Sequence, residues 1–133
     1  MKEIKNFIEA HKLSGCGGSY RRGVVFKDDK ICRMFINFTT SKMDSHNRDF
    51  SKIVYAGRGR KDNDKYFVED THKNRENVKM INSDNIFPVY VKLDGKYYYL
   101  GRYIIVKNEV LRRYNPNLGK YFRSISFYLI RKK

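Results

Sequence analysis

The residues best suited to chemistry lie in Lys52-Ile53-Val54-Tyr55-Ala56-Gly57-Arg58-Gly59-Arg60-Lys61. Alternating apolar positions run into a tyrosine, then into two glycines interleaved with Arg58, Arg60 and Lys61. The first half reads as a short strand. The second reads as a turn whose backbone comes close to a ligand, because glycine has no side chain to hold the ligand away. Exposed amides beside these cations make an anion-binding concavity, and Tyr55 offers a flat face on which a base stacks. A solvated hairpin end has the same composition, so the rest of the chain has to decide between the two.

Other chemistries find less support. A nuclease needs metal-holding carboxylates and a lysine or histidine to handle water. Glu3-Ile4-Lys5 falls in a predicted helix with no acid before it, and Asp94-Gly95-Lys96 is a hairpin turn. His11, His46 and His72 are scattered, with no HNH or HxxxH spacing. Gly57-Arg58-Gly59 lacks the further glycine and the helix of a dinucleotide site. Cys16 and Cys32 have no zinc-ligand spacing and read as reduced thiols of a cytoplasmic protein. The expectation is no catalytic residue, no metal and no cofactor.

The elements that must position the 52–61 stretch belong to one domain, residues 1–133, long enough to bury a core without staples. With 41% hydrophobic residues the chain is globular, and no apolar run is long enough to span a bilayer. Charge is more telling. Lys and Arg number 29 against 14 Asp and Glu, a net charge of +15. The excess is +7 over residues 1–66 and +8 over the rest, so it belongs to the folded body rather than to a tail. A compact domain under this self-repulsion calls for a polyanion. Nucleic acid fits better than a membrane, since the long basic amphipathic helix of a membrane binder is missing.

Residues 2–12 are predicted helical, with Ile4, Phe7, Ile8 and His11 on one face and Leu13-Ser14-Gly15 as the stop. Gly15, Gly17 and Gly18 mark a connection around Cys16, and Tyr20, Arg21 and Arg22 then form a second aromatic–cation group ahead of Gly23. Strands are expected at Val24–Phe26, Ile31–Phe38, the 52–56 stretch, Phe87–Leu93, Tyr97–Val106 and Tyr121–Ile130. Thr39–Asp49 reads as a surface loop. Asp70 or Thr71 caps a helix running to about Ser83, with Val78 and Ile81 as its apolar edge. Asp94-Gly95 is a tight hairpin turn. The fold class is α+β: a twisted, antiparallel, β-barrel-like sheet with flanking helices. Cations recur beside tyrosines on it, at Tyr103 with Arg102 and at Tyr114 with Arg112 and Arg113, which favours a nucleic-acid face.

Tyr55-Ala56-Gly57-Arg58-Gly59 resembles the Tyr-Thr-Gly-x-Gly turn of SRA-type domains, members of the PUA-like folds. Phe87-Pro88-Val89-Tyr90-Val91 stands where that family often has Pro-Val-Arg-Val, and Tyr99-Leu100-Gly101-Arg102-Tyr103 is similar to its Tyr-Leu-Gly-x-Tyr strand. Asn77 and Asn82-Ser83 fall on the intervening helix, Arg123–Leu129 resembles the last strand, and the glycine-rich run from Gly17 to Gly23 resembles the lead-in of SRA-like domains attached to HNH restriction enzymes. The resemblance covers residues 13 to 131. It implies a recognition module for double-stranded DNA, reading a modified cytosine or other flipped base for a restriction system whose nuclease is a partner or another domain. Tyr55 would then stack on the base, while Gly57 and Gly59 let the backbone approach phosphates. The family's Tyr-Glu-Asp-Asp segment is replaced by Met43-Asp44-Ser45-His46-Asn47-Arg48-Asp49. Asp44 or Asp49 stands in for its carboxylate, and its second aromatic has no counterpart. An RNA-binding PUA-like module and a compact metal-dependent nuclease are the alternatives.

Overall fold

Lys2–Ile4 opens the chain as a strand (β1), not as the first turn of a helix. It pairs antiparallel with Tyr97–Tyr99, a partner too distant in sequence for periodicity to reveal. The helix starts late because Asn6 caps it in an extended conformation, its Oδ1 accepting the Glu9 amide at 2.9 Å. Glu9 reaches back to the Lys5 amide at 2.6 Å, a reciprocal capping arrangement. Helix α1 then runs Phe7–Ser14 and ends at Gly15 in the left-handed conformation. Asn6→Ala should cost about 1 kcal/mol, read as a lower urea midpoint with an unchanged m-value.

The computed structural model describes residues 1–17, 23–39, 44–57, 61–62, 66–67, 75–116 and 119–133. After α1 come β2 (Val24–Lys27), β3 (Lys30–Asn37), β4 (Ser45–His46) and β5 (Lys52–Ala56). A small separate hairpin, β6 (Lys61–Asp62) with β7 (Tyr66–Phe67), precedes helix α2 (Arg75–Ile81). Strands β8 (Phe87–Leu93), β9 (Lys96–Asn115) and β10 (Lys120–Lys132) complete the chain. The main sheet runs β2-β3-β8-β9-β10-β5-β4, with β1 also on β9. Among the described residues it does not close on itself.

Among the described residues every pairing is antiparallel except β3 with β8. Because these two point the same way, residues 38–86 form a long crossover between them, and β4, β5 and α2 all lie inside it. The turns behave as their residues require. Asp28 and Asp29 (φ 53° and 62°), and Asp94 and Gly95 (φ 51° and 79°), occupy consecutive positive-φ positions of two-residue hairpins.

One face of the sheet holds the main core, including Met34, Ile36, Ile53, Phe87, Val89, Tyr103, Ile125, Phe127 and Leu129. The Tyr103 hydroxyl donates to the Phe50 carbonyl at 2.5 Å, tying β9 to the start of β5. The other face is covered by α1 through Phe7, Ala10, Phe35 and Tyr90. β3 and β8 are therefore buried on both sides, and Tyr90, which alternation alone points outward, is only 4% exposed. Arg33 is buried as well, its guanidinium 5.5 Å from the Phe7 ring and its Nε and Nη2 donating to His11 Nδ1 at 3.4 and 3.3 Å. Burial lowers its pKa from the usual arginine value.

The expectation of two reduced thiols is corrected: Cys16 and Cys32 are bonded to each other, with their Cα atoms 6.1 Å apart. Sixteen residues of sequence separate them, but α1 folds back onto β3 and brings the chain just after the helix alongside Cys32. Helix α2 also differs from its predicted face. It buries Asn77 and Met80, while Val78 remains 38% exposed. Its capping residues Asp70 and Thr71 lie outside the described residues. No helix among the described residues is long and apolar enough to cross a membrane.

Candidate nucleic-acid interface

β5 ends where the chemistry was expected. It lies between β10 and β4, with Tyr55 opposite Phe127, Ala56 opposite Ser126 and Val54 opposite Ser45. The Gly57 amide adds one more rung, donating to the Ile125 carbonyl at 2.8 Å. Tyr55 is half-buried, its ring packed on the main core. Its hydroxyl reaches toward the start of β2: a methyl group on Gly23 would lie 3.7 Å from it. Gly23 directly follows Arg22, and Gly57 directly precedes Arg58. The residues that bound both predicted cation groups therefore flank Tyr55.

Asp44 belongs to the same place. Its Oδ1 accepts the Ala56 amide at 2.7 Å, which fixes the carboxylate beside Tyr55. Asp49 does not. It lies at the opposite end of β5, where Oδ1 accepts the Ser51 amide at 3.0 Å. Hydrogen bonds from Ser51 lower the Asp49 pKa from its ordinary value. Of the two candidate carboxylates, the geometry puts Asp44 beside the tyrosine and makes Asp49 a turn-forming residue. Tyr20, Arg21, Arg22, Arg58, Gly59 and Arg60 lie outside the described residues, and Lys61 is placed by its backbone alone, in β6.

Gly57 has a structural reason to be glycine that the sequence did not disclose. A Cβ there would lie 2.5 Å from Ile125 Cγ2, 2.7 Å from Asn77 Oδ1 and 3.0 Å from Phe127 Cε2. All three neighbours are completely buried. The close approach at Gly57 is thus to the domain's own core, and α2 contributes to it through Asn77. The sequence places Asn77 on the intervening helix but assigns it no part in the site. The only signal was a polar residue at a helix position that packs inward.

A second unanticipated feature adjoins β5. His46 on β4 stacks on Phe50, with centroids 3.9 Å apart and planes at 17°, and Phe38 meets His46 edge-on at 4.7 Å. His46 pairs with Ile53, two residues from Tyr55, so it stands on the same face of the sheet. Among the described residues no group of three or more His, Cys, Asp or Glu could hold a metal ion.

The fold as a whole recurs in solved structures. The SRA domain of SUVH5 in complex with hemi-methylated CG DNA superposes with a TM-score of 0.70, at 18% identity over 98% of this chain and 86% of that one. The fold is that of an SRA domain. A modification-dependent restriction endonuclease, TagI, matches with a TM-score of 0.71 at 17% identity over 98% of this chain. The type IV phosphorothioation-dependent restriction endonuclease ScoMcrA matches at 0.64 and 14%, also over 98%. The chain spans 48% of the TagI chain and 25% of the ScoMcrA chain. No protein-family model and no curated protein matches the sequence. At these identities the correspondence is one of fold, and it agrees with the α+β, SRA-like architecture expected from the residues. The sheet differs from that expectation in its one parallel pair and its open path.

Proposed function

We propose that this domain binds double-stranded DNA and reads a modified base, turned out of the duplex, at Tyr55. In this reading it serves a restriction system whose nuclease is a partner subunit or another domain. The observation that carries it is the convergence of Tyr55, the Asp44 carboxylate and the bounds of two cation-rich segments at one end of β5. The neighbours solved with methylated CG DNA and the modification-dependent nucleases support it.

The chemistry is consistent. Extruding a base costs a few kcal/mol of lost stacking and pairing. Stacking on an aromatic ring returns about 1–3 kcal/mol per base. A carboxylate held rigidly by a backbone amide is a suitable acceptor for the cytosine 4-amino group. The net charge of +15 supplies sequence-independent attraction to phosphates.

The test is a titration of matched duplexes with and without one central 5-methylcytosine, over a range of salt. The modified duplex should bind more tightly at every salt concentration. Both plots of log Kobs against log salt should fall steeply, by about 0.9 for each phosphate neutralised. The protein alone should leave modified and unmodified plasmids intact in magnesium or manganese. Equal affinity for both duplexes removes base reading, and preference for a structured RNA competitor makes the domain an RNA binder. Metal-dependent cleavage that copurifies with the chain makes it an enzyme.

A further inference from the structure

A hollow of about 360 Å³ opens on the α1 side of the sheet, where the end of the helix meets β1, β8 and β9. Its size falls within the range of about 300–1,000 Å³ typical of sites that hold a ligand. The buried residues Ile4 and Tyr90 line it together with Pro88, and Leu13, which is 59% exposed, adds a further apolar wall. Tyr90 gives the hollow its chemistry. Although the residue is almost completely buried, its hydroxyl makes no hydrogen bond among the described residues. Nor is that oxygen sealed away: the fully occluded side-chain atoms without a partner, among the described residues, are Asn85 Oδ1 and Arg113 Nε. The Tyr90 hydroxyl is therefore open to the hollow that its ring lines. A polar group at this depth ordinarily has a partner, and lacking one costs about 1–3 kcal/mol. Burial above all, and then the neighbouring Tyr99, raise its pKa, against the opposing pull of Arg33. It is thus a protonated donor at neutral pH.

Two cations complete the lining. Lys2 comes from β1, level with Tyr99, and Arg102 lies three residues further along β9. Both are exposed, and neither has an acid within ion-pair distance among the described residues. Glu3, between Lys2 and Ile4, falls on the opposite face of β1 by strand alternation, where it reaches Lys96 at 4.0 Å.

Cations at two levels of an apolar hollow, with a hydroxyl donor inside it, call for the reverse arrangement: an apolar side chain with carboxylates on either side. A short acidic peptide segment presents that surface. A phosphodiester backbone offers the charge but no apolar side chain, and Tyr55 packs on the other face of the sheet. We propose that this hollow docks an acidic segment of a second protein. An apolar residue of that segment enters between Ile4, Leu13 and Pro88, and its carboxylates meet Lys2, Arg102 and the Tyr90 hydroxyl. In a restriction system the docked protein is the one that carries the nuclease. That identification alone rests on the reading of the domain as a recognition module, since docking itself needs no DNA.

The experiment titrates the isotopically labelled whole chain with the acetylated peptide amide Glu-Asp-Leu-Asp-Glu, without DNA, and follows backbone amide shifts by NMR. Shifts should cluster at residues 2–4, 13–14, 89–90 and 99–102, around the hollow. Replacing the peptide's leucine by serine should weaken binding about tenfold or more, and so should Lys2→Gln/Arg102→Gln in the protein. Tyr90→Phe deletes only the hydroxyl and should cost about tenfold, the worth of one hydrogen bond to a charged group. Removing two charges elsewhere, in Lys27→Gln/Lys107→Gln, should leave the affinity at the wild-type value. Shifts scattered over the basic surface, or equal weakening by both double variants, would mean attraction by net charge alone and would overturn the docking site. So would the absence of shifts at millimolar peptide. Equally tight binding of free 4-methylpentanoate would make the hollow a site for small organic acids and overturn docking of a protein segment. Because no DNA is present, a chain that failed to bind duplex would remove the base-reading function and leave the docking result standing, and the converse also holds.

Discussion

Gly57→Val should remove about 3 kcal/mol or more of stability, well above the effect of an ordinary strand substitution. The cause is space, not backbone conformation. The added Cβ would overlap Ile125 and Asn77 and press on Phe127. These neighbours come from two elements, β10 and α2, and each is completely buried, so none can turn into solvent to make room. Gly57→Ala should show the same effect at about 1–3 kcal/mol. Urea melts followed by circular dichroism would measure both. If the glycine instead served only to admit a phosphate, the midpoints would stay at the wild-type value and DNA affinity alone would fall. That result would contradict the packing described here.

Tyr55→Ala should abolish most of the preference for a modified duplex and weaken binding to it by about tenfold or more. Because the ring is half-buried against the core, the variant should also melt earlier. Absolute affinity is then a mixed readout, and the deciding quantity is the ratio of affinities for modified and unmodified duplex. Phosphate contacts survive the substitution, so binding to random duplex should change much less than binding to the preferred one. Tyr55→Phe keeps the ring and should keep the ratio. A Tyr55→Ala protein with an intact ratio would leave a basic DNA-binding sheet with no base pocket at this tyrosine.

Much of this was legible from the residues, and the gaps have identifiable causes. The strands on either side of Asp94-Gly95 were readable because alternation and a two-residue turn are local signals. The short β1 was misread as helix because Ile4 happens to keep helical spacing with Phe7 and Ile8. Only its pairing with Tyr97–Tyr99 makes it a strand. Alternation alone points Tyr90 and Arg33 outward because it assumes one wet face, whereas α1 covers the second face of β3 and β8. The Cys16–Cys32 bond was missed for the same reason: it depends on where α1 folds back, which spacing does not encode. At the candidate site both Tyr55 and Asp44 stand out in the sequence, and Asp44 accepts the amide of the residue that follows Tyr55. Asn77 enters the sequence reading only as a residue of the intervening helix; its burial against Gly57 is not legible there, because a buried asparagine leaves no periodic trace.

The parallel neighbours β3 and β8 have a further consequence, in the order of events as the chain folds. β3 cannot gain its inner partner until residues 38–86 have been made and carried across the sheet. β1 waits longer, for β9, and β5 waits for β10, the last strand of all. Among the described residues, segments close in sequence are joined in β2 with β3, in the short pairs β4–β5 and β6–β7, and in the run of β8, β9 and β10. Loop closure has to precede the reward from distant contacts, so such a chain folds slowly, and the C-terminal meander is the natural nucleus. Until that meander exists, the apolar edge of β3 stands open to other chains. During that interval the net positive charge, spread over both halves of the chain, has a use of its own: it keeps half-made copies of the domain apart.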